Sequence, residues 1–468
     1  MKEEIDSQPK ELQRAMKSRH LLMISIGGVM GTGFFIGSGY AIGEAGPFGA
    51  IGAYLFGGLI MYLVMVCLGE LSVIMPVSGS FQAHAEKYIG PATGFMMGWT
   101  YWLSWAIYIG LEFVAAGILM GRWFPDVPLW IWCLIFSTLL FGINALATKA
   151  FAETEYWFTA IKVLAVIAFI IIGGAAIFGI VPIQGQEAPF FSNFTNEGLL
   201  PTGFIGVFVA MMTVVYAFMG SEVVGVAAGE TENPDKNIPR AIRTIVIRIL
   251  LFYVLATIVL SAIVPWKEAG ILESPFVTVF DMVGIPYAAD IMNFVILTAI
   301  LSVGNTGMFA CARILFSLSQ SGHAPRMFGK LNKRGVPMNA LTFTLIFAYV
   351  SLLSSVMAEE TLFVLLLAIS GVGGIVTWIV IAYSQIRFRR QYVAAGGKVE
   401  DLKYRVPFFP LIPIVCIAMC LALVAMTAFD PTQRISLFIG LGFIALCYVF
   451  YHFKFTKKKE VPVPLADS

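Results

Sequence analysis

Charged side chains are scarce in this sequence: Asp, Glu, Lys and Arg make up 12% of its 468 residues, and hydrophobic residues make up 59%. A soluble domain normally has about 25% charged and about 45–50% apolar residues, so this chain has too few charges to cover a water-facing surface. The alternating polar and apolar pattern of strands is also missing, which argues against an outer-membrane barrel. With a mean hydropathy of +0.85, the sequence predicts an all-α polytopic membrane protein.

Sequence motifs of metal, disulfide and nucleotide chemistry are missing as well. The six cysteines lie in apolar stretches and show neither the CxxC spacing of metal sites nor a loop disulfide framework. The four histidines lie near predicted helix ends, and no Walker A loop appears, which argues against a membrane enzyme and against an ATP-driven pump. The net charge of +2 gives no indication of a nucleic acid partner. We therefore expect no enzymatic activity, no cofactor, no metal and no nucleic acid.

Long apolar runs are what the sequence has in abundance. Each run is long enough for a helix to cross the roughly 30 Å hydrocarbon core of a bilayer, which takes about 20 residues. The runs predict about twelve transmembrane helices. Their expected bounds are 21–43, 47–75, 92–122, 128–147, 155–181, 203–228, 241–264, 289–318, 338–357, 361–386, 407–428 and 432–453.

The distribution of Lys and Arg supports an even number of helices. Segments on the cytoplasmic side of a membrane protein collect basic residues. If the N-terminus lies inside, only Arg122, Lys267 and Arg434 of the 30 basic residues fall on the outer side, and Lys162 lies within a helix. Such a strong bias would not survive an odd number of helices, so we expect both termini in the cytoplasm.

Two of the predicted helices contain residues that oppose a continuous helix in lipid. Residues 25–33 of the first helix read SIGGVMGTG, and each glycine costs roughly 1 kcal/mol relative to alanine. Residues 216–225 of the sixth helix read YAFMGSEVVG and include a carboxylate. The two helices are five spans apart and so run in opposite directions, and broken helices at matching places of two halves mark the midplane binding site of a carrier. The alternative is that these glycines only allow close helix packing.

Broken helices expose backbone groups that suit a zwitterion. The N–H groups at the start of a half-helix favour an anion, and the carbonyl groups at the end of the other half favour a cation. An α-amino acid fits this pair, with its carboxylate at the N–H groups and its ammonium at the carbonyl groups. The backbone positions that we expect to bind it are Met30, Gly31, Thr32, Gly33, Ala217 and Phe218.

Ordered segments along nearly the whole chain resemble the amino-acid/polyamine/organocation superfamily, and within it the bacterial amino-acid permeases. Besides residues 25–33, these segments are 69–72 (GELS), 90–94 (GPATG), 228–234 (AGETENP), 238–241 (IPRA), 312–315 (ARIL) and 335–337 (GVP). The resemblance implies a 5+5 inverted repeat with discontinuous helices 1 and 6, followed by two further helices. The expected parts are a cytoplasmic tail at 1–20, repeats at 21–181 and 203–386, helices at 407–453 and a cytoplasmic tail at 454–468.

Within this family the chain resembles the S-methylmethionine permeases most, through residues 284–291 (GIPYAADI) and 300–302 (ILS). Residues 155–158 (EYWF) belong to the same pattern, and lysine permeases share them. The resemblance implies proton-coupled import of an amino acid such as S-methylmethionine across a bacterial inner membrane. A lysine or broad-specificity permease and a non-transporting sensor on the same fold are the alternatives. The implied partners are an amino acid, H⁺ and the lipid bilayer, and the oligomeric state stays open.

Three ionisable residues lie well inside predicted helices, where a charge costs about 2.5–3.5 kcal/mol on insertion scales. Glu222 resembles a residue tied to proton coupling and substrate binding, and its alternative role is to accept hydrogen bonds from the unwound backbone. Lys162 matches a position where proton-coupled relatives carry an amine instead of a sodium site, between helices 1 and 8. Its alternative is a lysine whose ammonium reaches the cytoplasmic interface.

The remaining candidates are less specific. Glu112 is expected either as a counter-charge for a cationic substrate side chain or as a partly hydrated residue near the outer end of its helix. The resemblance suggests Tyr216 as an aromatic gate above the substrate, where a cation–π contact with a sulfonium is chemically sensible. Packing against other helices is the alternative for Tyr216. Glu70 and Arg313 are expected as helix-end charges or as parts of an inner gate.

Overall fold

A computed structural model describes residues 12, 16–146, 148–184, 187–196, 198–269, 274–429 and 434–455. Most of the two expected tails, 1–20 and 454–468, lies outside the described residues. Within the described residues the chain is almost wholly helical, and β-structure there is limited to isolated bridges, one of them between Met16 and Thr231. The prediction of an all-α fold is therefore confirmed.

The α-helices are numbered here in chain order. Those of the first part of the chain are α1 (Ser18–Gly27), α2 (Thr32–Phe35), α3 (Gly37–Ile74), α4 (Ser80–Tyr88), α5 (Pro91–Met120), α6 (Leu129–Asn144), α7 (Thr148–Ile177) and α8 (Ser192–Thr195). Those of the remainder are α9 (Gly203–Phe218), α10 (Val223–Ala227), α11 (Pro234–Arg248), α12 (Leu255–Ile263), α13 (Pro275–Val283), α14 (Ala288–Gln320), α15 (Met338–Ala348), α16 (Glu359–Ala394), α17 (Leu411–Phe429) and α18 (Arg434–Phe455). Short 3₁₀ turns and one π-helical segment, Ile249–Val254, connect or extend several of them.

Many helices of this bundle have the length and the apolar composition of membrane-spanning helices. Among the described residues, 8 helical stretches are long and apolar enough to cross a bilayer, and three shorter apolar stretches lie at 129–144, 251–263 and 338–353. The first predicted helix is not among them because α1 and α2 are separated by a break and each is short. The structure thus confirms a polytopic membrane protein with an interrupted first helix. The division into two repeats, 21–181 and 203–386, stays a prediction.

Several helix bounds differ from those expected. The helix predicted at 155–181 is α7 and already begins at Thr148, and the one predicted at 241–264 begins at Pro234. The turn expected between the first two helices is a single non-helical residue inside α3, Gly46 with φ of 69°, followed by Pro47. Helices α4, α8 and α13 were not predicted, because they are short and the predicted helices rest on long apolar runs.

Two buried ion pairs hold helices together at Glu70 and Arg313. Arg313 of α14 donates its Nε–H to Glu230 at 2.8 Å, and Arg389 of α16 pairs with Glu70 of α3. All four side chains are buried, so Glu70 and Arg313, expected as helix-end charges or as parts of an inner gate, each lie in a buried ion pair. Breaking a buried pair costs roughly 3–5 kcal/mol, and both pairs therefore fix the relative positions of the helices that carry them.

An exposed cluster joins three elements at another edge of the bundle. Arg122, just after α5, donates hydrogen bonds to Asp281 of α13 and to Asp290 of α14, each at 2.9 Å. Trp123 donates its indole N–H to Asp290 at 3.1 Å. The short helix α13 is thereby tied to two long helices, although no apolar run in the sequence indicated it.

Candidate functional site

The first helix break lies in the glycine-rich segment that the sequence analysis singled out. Helix α1 ends at Gly27, and α2 begins at Thr32. Between them the backbone leaves the helical region, with φ −129° and ψ −145° at Gly31. The Gly31 carbonyl accepts the N–H groups of Phe34 and Phe35, both at 3.0 Å, and so starts the new half-helix. Carbonyl groups at the end of α1 are left for partners outside the helix.

The second break separates α9 from α10. Helix α9 ends at Phe218, Met219 is extended with ψ 143°, and α10 begins at Val223. Gly220 has φ 101°, a left-handed conformation that glycine adopts readily and that residues with a Cβ rarely adopt. The discontinuous sixth helix predicted from the sequence is therefore present in the structure.

The two breaks lie against each other. A Cβ atom at Gly33 would lie 2.8 Å from the Cα of Ala217, and one at Gly220 would overlap the carbonyl oxygen of Gly28. Gly33 and Gly220 therefore allow the backbones of the two broken helices to approach each other closely. Close packing was offered as an alternative to unwinding, and the structure contains both, because the segments that approach each other are themselves unwound.

Gly220→Ala is expected to destabilise this junction and to reduce activity strongly. The left-handed backbone alone costs a residue with a Cβ about 1–3 kcal/mol, and the added methyl group would also meet the Gly28 backbone. A thermal unfolding curve of the detergent-purified variant would measure the loss. Gly174→Ala is the matched control, because it lies in α7 with nothing within 4 Å of the new Cβ. Equal melting temperatures of the two variants would contradict the prediction.

Lys162 of α7 reaches the first break and is fully buried. Its Nζ donates to the carbonyl oxygens of Gly27 at 2.7 Å and Met30 at 3.4 Å. It also donates to α14, at the Ala299 carbonyl (3.4 Å) and the Ser302 hydroxyl (2.9 Å). The ammonium therefore joins the end of α1 to α14 inside the bundle. The alternative of a lysine that reaches the membrane interface does not describe this position.

Glu155 is the ionisable residue that the sequence analysis missed. It was placed at the first residue of a helix, whereas α7 begins at Thr148 and Glu155 lies two turns inside it, fully buried. Its carboxylate accepts the Ser302 hydroxyl and the Asn305 amide at 3.3 Å. The spacing to Lys162 is seven residues, which places both on one face of the helix. That spacing was the sequence signal for a buried pair. It was overlooked because the helix was predicted to begin only at residue 155.

Glu112 of α5 is also buried, with 1% of its surface exposed. Its Oε2 accepts the Thr32 hydroxyl at 2.6 Å, and a Cβ atom at Gly31 would lie 3.2 Å from its Oε1. Glu112 thus lies at the start of α2 and is not a hydrated residue at a helix end. The start of this half-helix is the place expected for the substrate carboxylate, so in this conformation a carboxylate of the protein itself lies there.

Glu222 lies directly at the second break and is fully buried. Both of its oxygens lie 3.2 Å from the Gly220 N–H. Tyr101 donates its hydroxyl to Oε1 at 3.3 Å, and Trp378 donates its indole N–H to Oε2 at 3.4 Å. All three donors are neutral, and among the described ion pairs none includes Glu222. A negative charge here is therefore solvated by dipoles without a cationic neighbour in contact.

The aromatic and carbonyl candidates on α9 mostly make contacts within the protein. The Ala217 carbonyl accepts the Tyr253 hydroxyl at 3.0 Å, and the Phe218 carbonyl accepts the Ser221 hydroxyl at 3.0 Å. The Phe218 ring packs on Tyr253, with 4.6 Å between centroids. The Tyr216 ring lies against the backbone of Gly371 on α16. A carbonyl oxygen can accept two hydrogen bonds. The Ala217 carbonyl can therefore accept one more beside that of Tyr253, whereas the Phe218 carbonyl already accepts the Ser221 N–H as well, at 3.5 Å.

The breaks bring together a buried ammonium, three buried carboxylates and unwound backbone within one bundle core. Lys162 and Glu155 meet at α14, Glu112 lies at the start of α2, and Glu222 lies at the second break. Unwound backbone and ionisable groups at membrane depth are tolerated where they line a polar site. The arrangement suits a small zwitterion together with a proton, although the individual substrate contacts stay predictions.

Comparison with known proteins gives a single family. The family model described as "Amino acid permease" matches residues 20–462. The amino-acid permease RocE of Bacillus subtilis is 52% identical over 96% of this chain and 97% of its own length. A putative histidine permease of the same organism is 52% identical over 97% of each chain. The lysine-specific permease LysP of Escherichia coli is 45% identical over 88% of this chain and 85% of its own length.

Proposed function

Because the chain belongs to the amino acid permease family, we propose that it imports an amino acid through the bacterial cell membrane together with protons. The family consists of transporters and not enzymes, which confirms the resemblance seen in the sequence and the expectation that the chain is no enzyme. The observation that carries the proton coupling is the position of Lys162, whose ammonium lies among oxygen atoms of both α1 and α14.

The ligands of Lys162 are of the kind that would otherwise hold a metal cation. In carriers with broken helices, carbonyl groups of unwound backbone coordinate Na⁺ or take part in proton binding. Here carbonyl oxygens and one hydroxyl surround the Lys162 ammonium at 2.7–3.4 Å. When protonated, the Lys162 side chain provides the positive charge that joins α1 to α14. On deprotonation it becomes a neutral amine. A proton on Lys162 therefore takes the part of a coupling ion.

Two buried carboxylates support a substrate with a cationic side chain. Glu112 and Glu222 lie at the two breaks, and neither is in an ion pair with a described residue. A sulfonium or an ammonium on the substrate would offset a negative charge there. We propose S-methylmethionine as the first substrate to test. Lysine is the second candidate, since a relative named as a lysine-specific permease is 45% identical.

We further propose the topology that the basic residues indicate. Both termini lie in the cytoplasm, and residues 21–181 and 203–386 form two halves of opposite orientation. The inner side then carries most of the Lys and Arg residues. On this orientation α7 enters the membrane from the cytoplasm at Thr148, and Glu155 lies between Lys162 and the cytoplasmic side.

Uptake into proteoliposomes tests the function. With the membrane potential clamped, we expect an inside-alkaline gradient to raise S-methylmethionine accumulation about tenfold per pH unit for one proton per substrate, since one unit is worth about 1.4 kcal/mol. Labelled lysine and histidine are run in parallel. Accumulation of lysine but not of S-methylmethionine would indicate that lysine is the substrate. Accumulation driven only by a sodium gradient would contradict proton coupling, and binding without uptake would indicate a sensor.

A further inference from the structure

Glu155 has no role in the function proposed above, yet it is buried and joined to Lys162 through a single hydroxyl. We propose that Glu155 is the internal acceptor of the Lys162 proton, with the Ser302 hydroxyl as the relay between them. The inference rests on the proposed proton coupling and makes it specific. It assigns the place where the proton is held after it leaves the amine.

The hydrogen bonds run in one direction along this chain of groups. Lys162 Nζ donates to Ser302 Oγ at 2.9 Å, and the same hydroxyl donates to Glu155 Oε1. The ammonium and the carboxylate do not form a direct ion pair among the described ones. All three side chains are fully buried. A donor, a hydroxyl that both accepts and donates, and a terminal acceptor are the groups that a proton relay requires.

The transfer needs no group beyond these three. One N–H bond of the Lys162 ammonium breaks as its proton moves to Ser302 Oγ. The original hydroxyl proton of Ser302 moves to Glu155 Oε1, where an O–H bond forms. The products are a neutral amine, an unchanged hydroxyl and a neutral carboxylic acid, so charge and atoms balance. A separated buried charge pair becomes a neutral pair, which a low-dielectric core favours.

Transfer would release the first helix break from α14. The ammonium donates to the carbonyl oxygens of Gly27 and Met30 on one side and of Ala299 on the other. A hydrogen bond from a charged donor is roughly twice as strong as one between neutral groups. Once the charge has left, these contacts weaken together. Movement of the proton to Glu155 is thereby linked to the repacking of α1 against α14 in the carrier that returns without substrate, a step that counterflow exchange does not use.

The charges around Glu155 favour this assignment. Lys162 lies on the same face of α7 as Glu155, and Glu112 of α5 accepts the hydroxyl of Thr32. From α14, Glu155 meets the neutral Ser302 and Asn305, and Asn305 is held in place from α6 by Asn144 at 2.7 Å. Of the other described charges near the start of α7, Glu153 pairs with Arg19 and His20 of α1, Glu230 pairs with Arg313 of α14, and the Lys149 side chain is exposed.

The test compares gradient-driven accumulation with counterflow exchange, which needs no net proton movement. We expect Glu155→Gln to lose accumulation by about 100-fold, the lower end of what a positioned proton-transfer group contributes, and to keep most of its counterflow. The pH dependence of counterflow should also flatten. Glu153→Gln is the matched control, since it makes the same change on the same helix at a partly exposed site. It should behave as the wild type does.

Ser302 provides an independent arm if Glu155→Gln does not fold. Ser302→Ala removes the relay hydroxyl and should lose gradient-driven accumulation while keeping counterflow. Ser302→Thr keeps a hydroxyl at this position and should accumulate substrate as the wild type does. Wild-type accumulation in Glu155→Gln or in Ser302→Ala would overturn the inference. A parallel loss of accumulation and counterflow would also overturn it, since that result indicates a purely structural carboxylate. Absence of gradient-driven accumulation in the wild type would instead overturn the proposed function itself.

Discussion

Replacing Lys162 by alanine is expected to abolish proton-driven accumulation and to remove the pH dependence of transport. The variant loses the ammonium that joins the carbonyl groups of Gly27 and Ala299, so no titratable cation remains between α1 and α14. The loss should reach at least about 100-fold in accumulation, as for other positioned proton-transfer groups. Each carbonyl oxygen left without a donor costs roughly 1–3 kcal/mol, so a lower melting temperature is expected as well.

Uptake and counterflow in proteoliposomes, measured over a series of pH values, would check this prediction. Lys149→Ala is the matched control, because Lys149 lies on the same helix but is exposed. It should transport as the wild type does. If Lys162→Ala still accumulated substrate with the wild-type pH profile, Lys162 would be a structural bridge between α1 and α14, and the proposed coupling would be wrong.

The fold was predictable because lipid imposes its own pattern on the sequence. A spanning helix must be apolar for about 20 residues, and most of the long helices are visible as such runs. The broken helices were predictable for the opposite reason, since four glycines between Gly27 and Gly33 and a carboxylate at Glu222 oppose a continuous helix. The short helices α4 and α13 carry neither signal and were missed.

The hydrogen-bond partners of Glu155 could not be predicted from a single sequence. The residue looked like an ordinary charge at a helix start, and its partners lie far along the chain: Ser302 is 147 residues away and Asn305 is 150 residues away. Buried polar groups are almost always hydrogen-bonded, but a sequence does not show which distant residue provides the partner. The apolar run began after Glu155, whereas α7 begins earlier, at Thr148.

Two predictions about substrate binding concern the same place in the structure, next to Thr32. The sequence assigned the start of α2 to the substrate carboxylate and assigned Glu112 to a cationic substrate group. The Thr32 hydroxyl donates to Glu112 at 2.6 Å, so both assignments meet at one place. Two ionised carboxylates next to the same Thr32 hydroxyl would repel each other. If both assignments hold, we expect a substrate carboxylate to reach α2 only after Glu112 moves or takes up a proton.

Glu222→Gln is expected to lower the rate of transport by about 100-fold or more, with little change in melting temperature. An amide can keep the hydrogen bonds of Glu222. An amide oxygen at the Oε2 position can accept from the Gly220 and Trp378 N–H groups, and an NH₂ at the Oε1 position can face the Tyr101 hydroxyl, which is able to accept. The substitution therefore removes mainly the negative charge. A residue needed only to satisfy the unwound backbone would tolerate it, whereas a residue that binds a proton or a substrate cation would not.

A second substitution separates these roles further. Glu222→Leu removes the acceptors of the Gly220 and Trp378 N–H groups, and each unpaired donor costs roughly 1–3 kcal/mol, so this variant should lose stability as well as transport. Glu268→Gln, at an exposed site, is the matched control for the amide substitution. Uptake and melting temperature are measured for all three. If Glu222→Gln transported normally and only Glu222→Leu failed, Glu222 would be a structural acceptor at the break, and proton coupling would depend on Lys162 and Glu155 alone.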